Sequence, residues 1–131
     1  MTGIDANVLV RYLVQDDPLQ SRKANEVFEN RLAVENPGFI SVVAMAETVW
    51  VLKRAYKFPD HEIATAIERI LQMEILVVEN EQQVFTAMIV LKSGTNLFAD
   101  ALIGALAENA GCSRTLTFDR KVSRLPNFEL L

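Results

Sequence analysis

Short apolar runs separated by segments of helical periodicity recur along nearly the whole chain, and this alternation leaves few folds open to it. Thr2-Gly3-Ile4 reads as a first strand, followed by a helix over about residues 7–12. Asp17 is placed to cap a second helix, with Pro18 at the first helical position, where a missing N–H breaks no bond. Ala24, Val27 and Phe28 supply that helix's apolar face. Gly38-Phe39-Ile40 reads as a second strand, and Ser41 as the cap of a long helix reaching about residue 56. Asp60 opens another helix, whose Ile63, Ile67, Ile70 and Leu71 follow the i, i+4, i+7, i+8 stripe. Residues 75–78 form a third strand, apolar enough to be expected buried on both faces. Asn80 and Gln83 offer a capping box to a helix carrying Val84, Phe85, Met88 and Leu91. A helix over 98–110 closes at Gly111 as its C′ residue. Residues 115–118 read as a fourth strand, Asp119 as the start of a short helix, and 128–130 as a terminal fifth strand.

Strands alternating with helices predict a mostly parallel sheet of four to five strands with helices on both faces, a three-layer α/β/α fold. The 131 residues suit one domain, and no repeat, linker or low-complexity tract interrupts them. Half the residues are hydrophobic, enough for a sizeable core. The single cysteine, Cys112, excludes an internal disulfide and agrees with a reducing compartment; a buried structural thiol is expected there. Met1-Thr2-Gly3-Ile4-Asp5 has no basic n-region, and the longest apolar stretch, 42–52, is interrupted by Glu47, so neither a signal peptide nor a membrane span is expected. The expected location is cytoplasmic.

In open α/β sheets, ligands bind beyond the carboxyl ends of the strands. Asp5 follows the first strand and Asp119 the fourth, at the same end of the sheet. Each has a structural alternative as a helix cap. Asn7 is a second candidate cap for the first helix, which would leave Asp5 free. Thr117 shares the side-chain phase of Asp119 and is placed to hydrogen-bond it or present its hydroxyl to the site. Glu47 lies in Val42-Val43-Ala44-Met45-Ala46-Glu47-Thr48-Val49-Trp50-Val51-Leu52, apolar nearly all round and so expected to be largely buried. A carboxylate there needs a cation or hydrogen-bond donors; a salt bridge is its structural alternative. Asp100 repeats the pattern in Leu97-Phe98-Ala99-Asp100-Ala101-Leu102-Ile103-Gly104, with a favourable place in the first helical turn as its alternative. Gly104, one turn on, permits close packing or access. Convergence of these acids would raise some of their pKa values, and a divalent cation would relieve the repulsion. All-oxygen ligands suit Mg²⁺ or Mn²⁺ rather than Zn²⁺.

Thr2-Gly3-Ile4-Asp5-Ala6-Asn7-Val8-Leu9, the helix around Ala46-Glu47, Phe98-Ala99-Asp100-Ala101-Leu102-Ile103 and Thr117-Phe118-Asp119 resemble, in this order, successive motifs of the PIN domain. Among such domains the chain looks like the VapC toxins of bacterial toxin–antitoxin pairs, and the resemblance covers essentially the whole chain. It implies an endoribonuclease dependent on Mg²⁺ or Mn²⁺, usually a homodimer, inhibited by a small antitoxin. By motif match, Asp5 and Asp100 are metal ligands, Glu47 and Asp119 complete the site, and Asn7 and Thr117 support it. Arg11, Arg120, Lys121 and Arg124 are candidate phosphate contacts, with solvated surface charge as their alternative. Many relatives carry an acid three residues before the Asp100 position; here Leu97 stands there, beside Asn96, which puts a two-metal mechanism in doubt.

The net charge of −4 argues against a general nucleic-acid binder, although a bound cation reverses the local sign. A phosphoacceptor receiver domain needs paired acids after the first strand and an aspartate after the third; Asp5 stands alone and Val77-Val78 leads to Glu79. A haloacid-dehalogenase-like phosphatase needs Asp-x-Asp where this chain has Asp5-Ala6-Asn7. A catalytically weak PIN fold acting as a binding module stays open through Leu97. His61 is the only histidine, so a site of several imidazoles is excluded, and no phosphate-cradling GxxxxGK[ST] occurs. Trp50 and Phe28 are expected in the core rather than as base-stacking platforms; the helices around Val27-Phe28 and Trp50 are alternatively a groove for an antitoxin helix.

Overall fold

Every strand pairing in the computed structural model, which describes residues 1–131, is parallel. The strands are β1 (Thr2–Gly3), β2 (Gly38–Ile40), β3 (Leu76–Val78), β4 (Thr115–Thr117) and β5 (Phe128–Leu130). The helices are α1 (Ala6–Val14), α2 (Pro18–Glu26), α3 (Val42–Arg54), α4 (Asp60–Gln72), α5 (Glu81–Lys92) and α6 (Phe98–Asn109). A π-helical turn, Val27–Arg31, extends α2, and a 3₁₀ turn, Val122–Arg124, separates β4 from β5. Hydrogen bonding divides the strands into a three-stranded sheet ordered β1-β2-β3 and a two-stranded sheet, β4-β5. Parallel pairing needs crossovers, and the intervening helices provide them, giving the three-layer α/β/α arrangement.

Local chemistry sets most helix ends. Asp17 Oδ1 accepts the Gln20 N–H at 2.9 Å, with Pro18 at the first position of α2. The Ser41 hydroxyl accepts the Ala44 N–H at 3.0 Å. Glu79, just past β3, adds a second cap to α3 by accepting the Val42 N–H at 2.9 Å. Gly111, with φ +102°, terminates α6 in the left-handed region. Asn80 departs from the expected capping box: it adopts φ +52° and its side chain makes no capping bond.

One cluster of 22 buried residues forms the core. Ile63, Ile67 and Ile70 of α4 are fully buried, as their spacing predicts, and Leu71 packs at the margin. Phe28 lies in the core with its ring stacked on Tyr12 at 4.0 Å. Gly104 is where α6 meets β5: a Cβ there would lie 2.4 Å from Phe128 Cε2, so the missing side chain serves close packing.

Four burial expectations are corrected. α3 is not buried all round: Val43 (72% exposed), Glu47 and Trp50 (60% exposed) form an outward stripe at i, i+4 and i+7. Trp50 is therefore not core; the Arg54 guanidinium sits over its ring, 5.6 Å from the centroid. β3 is buried on one face only, since Val77 points outward between Leu76 and Val78. Cys112 is exposed, because it lies in the turn beyond α6 rather than in an element facing the core.

Candidate functional site

Asp5 is the N-cap of α1, with Oδ1 accepting the Ala6 N–H at 2.8 Å. Asn7 is therefore not the cap; it lies inside the helix, exposed. The helix begins at Ala6, which is fully buried, and the cap falls one residue before it. Only one Asp5 oxygen is used, and Oδ2 accepts no hydrogen bond.

Asp119 repeats the device at the end of β4. Its Oδ1 accepts the N–H groups of Lys121 at 2.8 Å and Val122 at 3.2 Å, again leaving Oδ2 free. The Asp119 N–H donates to the Thr117 hydroxyl at 3.0 Å. Thr117 thus engages Asp119 as expected, through the backbone. Both carboxylates are held by their caps through one oxygen, and the second oxygen of each accepts no hydrogen bond.

Asp100 lies in the first turn of α6, half-buried. Burial pushes its pKa above the ordinary aspartate value, and the negative charge of Asp119 pushes it further, against a backbone hydrogen bond that lowers it. Glu47, at the middle of α3, is exposed; its carboxylate makes no hydrogen bond and no ion pair, so the salt-bridge alternative is not realised. The ion pairs of the molecule use other acids: Arg11–Asp16 (3.1 Å), Lys53–Asp60, Lys92–Glu68 (2.7 Å) and Arg114–Glu129 (3.3 Å).

The PIN domain family matches residues 4–127, nearly the full length, with Asp5, Glu47, Asp100 and Asp119 all inside the matched span. The chain belongs to the PIN domain family. PIN domains are in general nucleases that use divalent metal ions and bind RNA. No curated protein and no solved structure matches the chain significantly. No helix is long and apolar enough to cross a membrane.

Within this PIN domain, the candidate cations divide into two groups. Arg11 is committed to the fold: it donates to Gln20 Oε1 at 2.6 Å, Asp16 Oδ1 at 3.1 Å and the Tyr56 hydroxyl at 2.6 Å. Tyr56 in turn donates to Asp16 Oδ2 at 2.8 Å, so the network ties α1 and the loop after it to α2 and the chain beyond α3. That hydrogen bond heads the influences holding the Asp16 pKa below its ordinary value. Sequence reading missed this role because Tyr56 is 45 residues from Arg11. Arg120, Lys121 and Arg124 are exposed, and none has a carboxylate partner. Phe118, assigned by its sequence to the fourth strand, falls just outside β4 and is 83% exposed.

A hard divalent cation suits the donor chemistry of Asp100 and Asp119, one destabilised in its ionised form by burial and by the other's charge, the other keeping a free oxygen beside a capped one; Asp5 likewise keeps one oxygen free. The acids are not a closed cage, since no three Asp, Glu, His or Cys side chains stand in metal-holding geometry. Leu97, at the N-cap of α6, contributes no side-chain cap and no oxygen ligand.

Proposed function

We propose that this PIN domain is an endoribonuclease dependent on Mg²⁺ or Mn²⁺, a single nuclease domain that serves as the cytoplasmic toxin of a VapC-type toxin–antitoxin pair. One observation carries the reading: Asp119 is held as a cap through one oxygen with the other free, and its charge acts on the half-buried Asp100 carboxyl and raises its pKa, two motif acids whose mutual repulsion a cation would relieve.

Asp5 and Asp100 are assigned as the principal metal ligands, with Glu47 and Asp119 completing the set. A bound cation supplies Lewis acidity toward water and phosphodiester. Glu47 or Asp119 orients the attacking water. The water oxygen bonds to phosphorus in line with the leaving 3′ oxygen, the P–O3′ bond breaks, and the 3′ oxygen takes up a proton, giving a 5′-phosphate and a 3′-hydroxyl. Thr117 keeps the backbone at Asp119 in place. Arg120, Lys121 and Arg124 offset phosphate charge, and Asn7 supports the Asp5 end of the site. The groove lined by Asn7, Val8, Gln20, Lys23, Ala24 and Val27 is a candidate seat for the antitoxin, and a homodimer gathers the basic residues of two acidic chains.

Incubation of the partner-free protein with total cellular RNA, in Mg²⁺, Mn²⁺ or EDTA, tests the reading. Discrete cleavage that needs metal and is lost in Asp5→Ala and Asp100→Ala is expected. Cleavage indifferent to EDTA or to both substitutions overturns it. Leu97, which leaves the α6 end without a further acid, favours one alternative: a catalytically weak RNA- or protein-binding module. Metal-bound, folded protein that cleaves no RNA would point there.

A further inference from the structure

Phe118 is the most exposed large apolar side chain in the molecule, at 83%. An isolated exposed apolar residue is ordinary, but its surroundings are not. It directly precedes Asp119, so the two Cα atoms are about 3.8 Å apart. Arg120, Lys121 and Arg124 follow within six residues, all exposed and all without an acidic partner. This is a concentration of free positive charge on a chain whose net charge is −4. Leu116, two residues earlier, is also outward, at 58% exposed, and widens the apolar surface.

Two other aromatic rings are exposed: Trp50 has Arg54 over one face, and Phe85, 49% exposed, lies beside Leu71, Glu81, Gln82 and Thr86 with no cation among them. Tyr12 stacks on Phe28, and Tyr56 lies against Phe58. Phe118 takes part in none of these pairings, so its ring faces are open. An open aromatic ring flanked by unpaired cations is the pairing of features that binds single-stranded nucleic acid. The ring stacks a base, and the cations follow the backbone. A duplex cannot use it, because its bases are already stacked and its edges paired. The positive flank favours a polyanion over an apolar protein surface as the occupant.

We infer that Phe118 is a substrate-positioning residue that stacks one unpaired base of single-stranded RNA, bringing an adjoining phosphodiester to Asp119. This rests on the ribonuclease reading above and adds to it the residue that engages an unpaired base. Stacking tolerates any base, so the residue selects unpaired RNA rather than a sequence.

The test is equilibrium binding by fluorescence anisotropy, with Ca²⁺ in place of Mg²⁺ to suppress turnover. The probes are an unstructured labelled RNA of about 12 nucleotides, the same strand with abasic sites throughout, and its blunt duplex. Wild type should bind the intact strand more tightly than either of the others. Phe118→Ala should bind it about 5- to 150-fold more weakly and should no longer distinguish it from the abasic strand. Phe118→Tyr should retain most of the affinity. Arg120→Ala with Lys121→Ala should weaken intact and abasic strands alike and flatten the salt dependence. Because the side chain is exposed, Phe118→Ala should unfold at the wild-type temperature, and the abasic comparison needs no variant at all.

Equal affinity of wild type for intact and abasic strands, or unchanged binding by Phe118→Ala, overturns the inference. So does a loss of self-association or protein binding in Phe118→Ala with RNA affinity intact, which would make the ring a protein contact. Metal-dependent cleavage by wild type alongside any of these results leaves the nuclease reading standing. A wild type that neither binds nor cleaves RNA removes both.

Discussion

Asp119 lies close enough to Asp100 for its charge to raise the Asp100 pKa, adding to the larger effect of burial. The sign of the consequence follows from linkage. With its folded pKa above the unfolded value, Asp100 binds more protons in the native state. Stability therefore falls as pH rises from the ordinary value of 3.8 through the raised folded pKa, and the deficit persists at neutral pH. In metal-free protein, Asp100→Asn should raise the thermal midpoint at pH 7 and leave it unchanged below the ordinary aspartate range. Asp119→Asn should lower the Asp100 pKa, read by NMR titration. An Asp100 titration indifferent to Asp119→Asn would separate the two carboxylates.

Thr117 acts on Asp119 by accepting its backbone N–H at 3.0 Å. Thr117→Val keeps the shape and removes the acceptor. Loss of such supporting bonds around a metal site reduces metal affinity or activity by about 10- to 100-fold. The expected outcome is a drop near the lower end, with Thr117→Ser recovering most of it, measured as kcat/KM across a Mg²⁺ titration. Wild-type kinetics in Thr117→Val would reduce the hydroxyl to a turn-forming role.

The Tyr56 hydroxyl leads the influences that hold Asp16 below its ordinary pKa, with the Arg11 charge contributing less. A depressed folded pKa gives stability that is present above the ordinary aspartate value and lost as pH falls through the folded one. Tyr56→Phe should move the Asp16 titration up toward the ordinary value and make unfolding less steeply dependent on pH in the acid range. Two-dimensional NMR of the carboxyl carbons against pH reads this directly.

Gly104 and Phe128 share one space: a Cβ at residue 104 would lie 2.4 Å from Cε2 and 3.0 Å from Cζ of the ring. Gly104→Ala should destabilise the protein by about 1–3 kcal/mol in urea unfolding, because the half-buried Phe128 ring must shift to admit the Cβ. Adding Phe128→Leu should recover part of that loss, so that the two changes together cost less than their sum. Strict additivity would show that the ring moves freely.

Sequence legibility followed the range of the physics involved. The alternation of strands and helices, the caps at Asp17 and Ser41 and the stop at Gly111 depend on side chains and backbone within a few residues, and all are found. Asp5 and Asn7 were both eligible caps by local chemistry, and the burial of Ala6 goes with the choice of Asp5. Arg11 could not be distinguished from a phosphate contact by its own neighbours, because the hydroxyl that occupies it comes from Tyr56.

The sequence by itself determined which acids have no obvious local partner, where the helices begin and end, and the family to which the chain belongs. Only the tertiary structure decided which face of each element meets the core. Val43 and Trp50 are as apolar as Met45 and Val49, yet the first two face outward and the second two inward. Residue type sets the free energy available from burial, whereas helix rotation and the neighbouring elements set which residues obtain it. The same rotation leaves Glu47 exposed, and the packing of α6 against its surroundings, rather than any local pattern, places the Asp100 carboxylate within reach of the Asp119 charge.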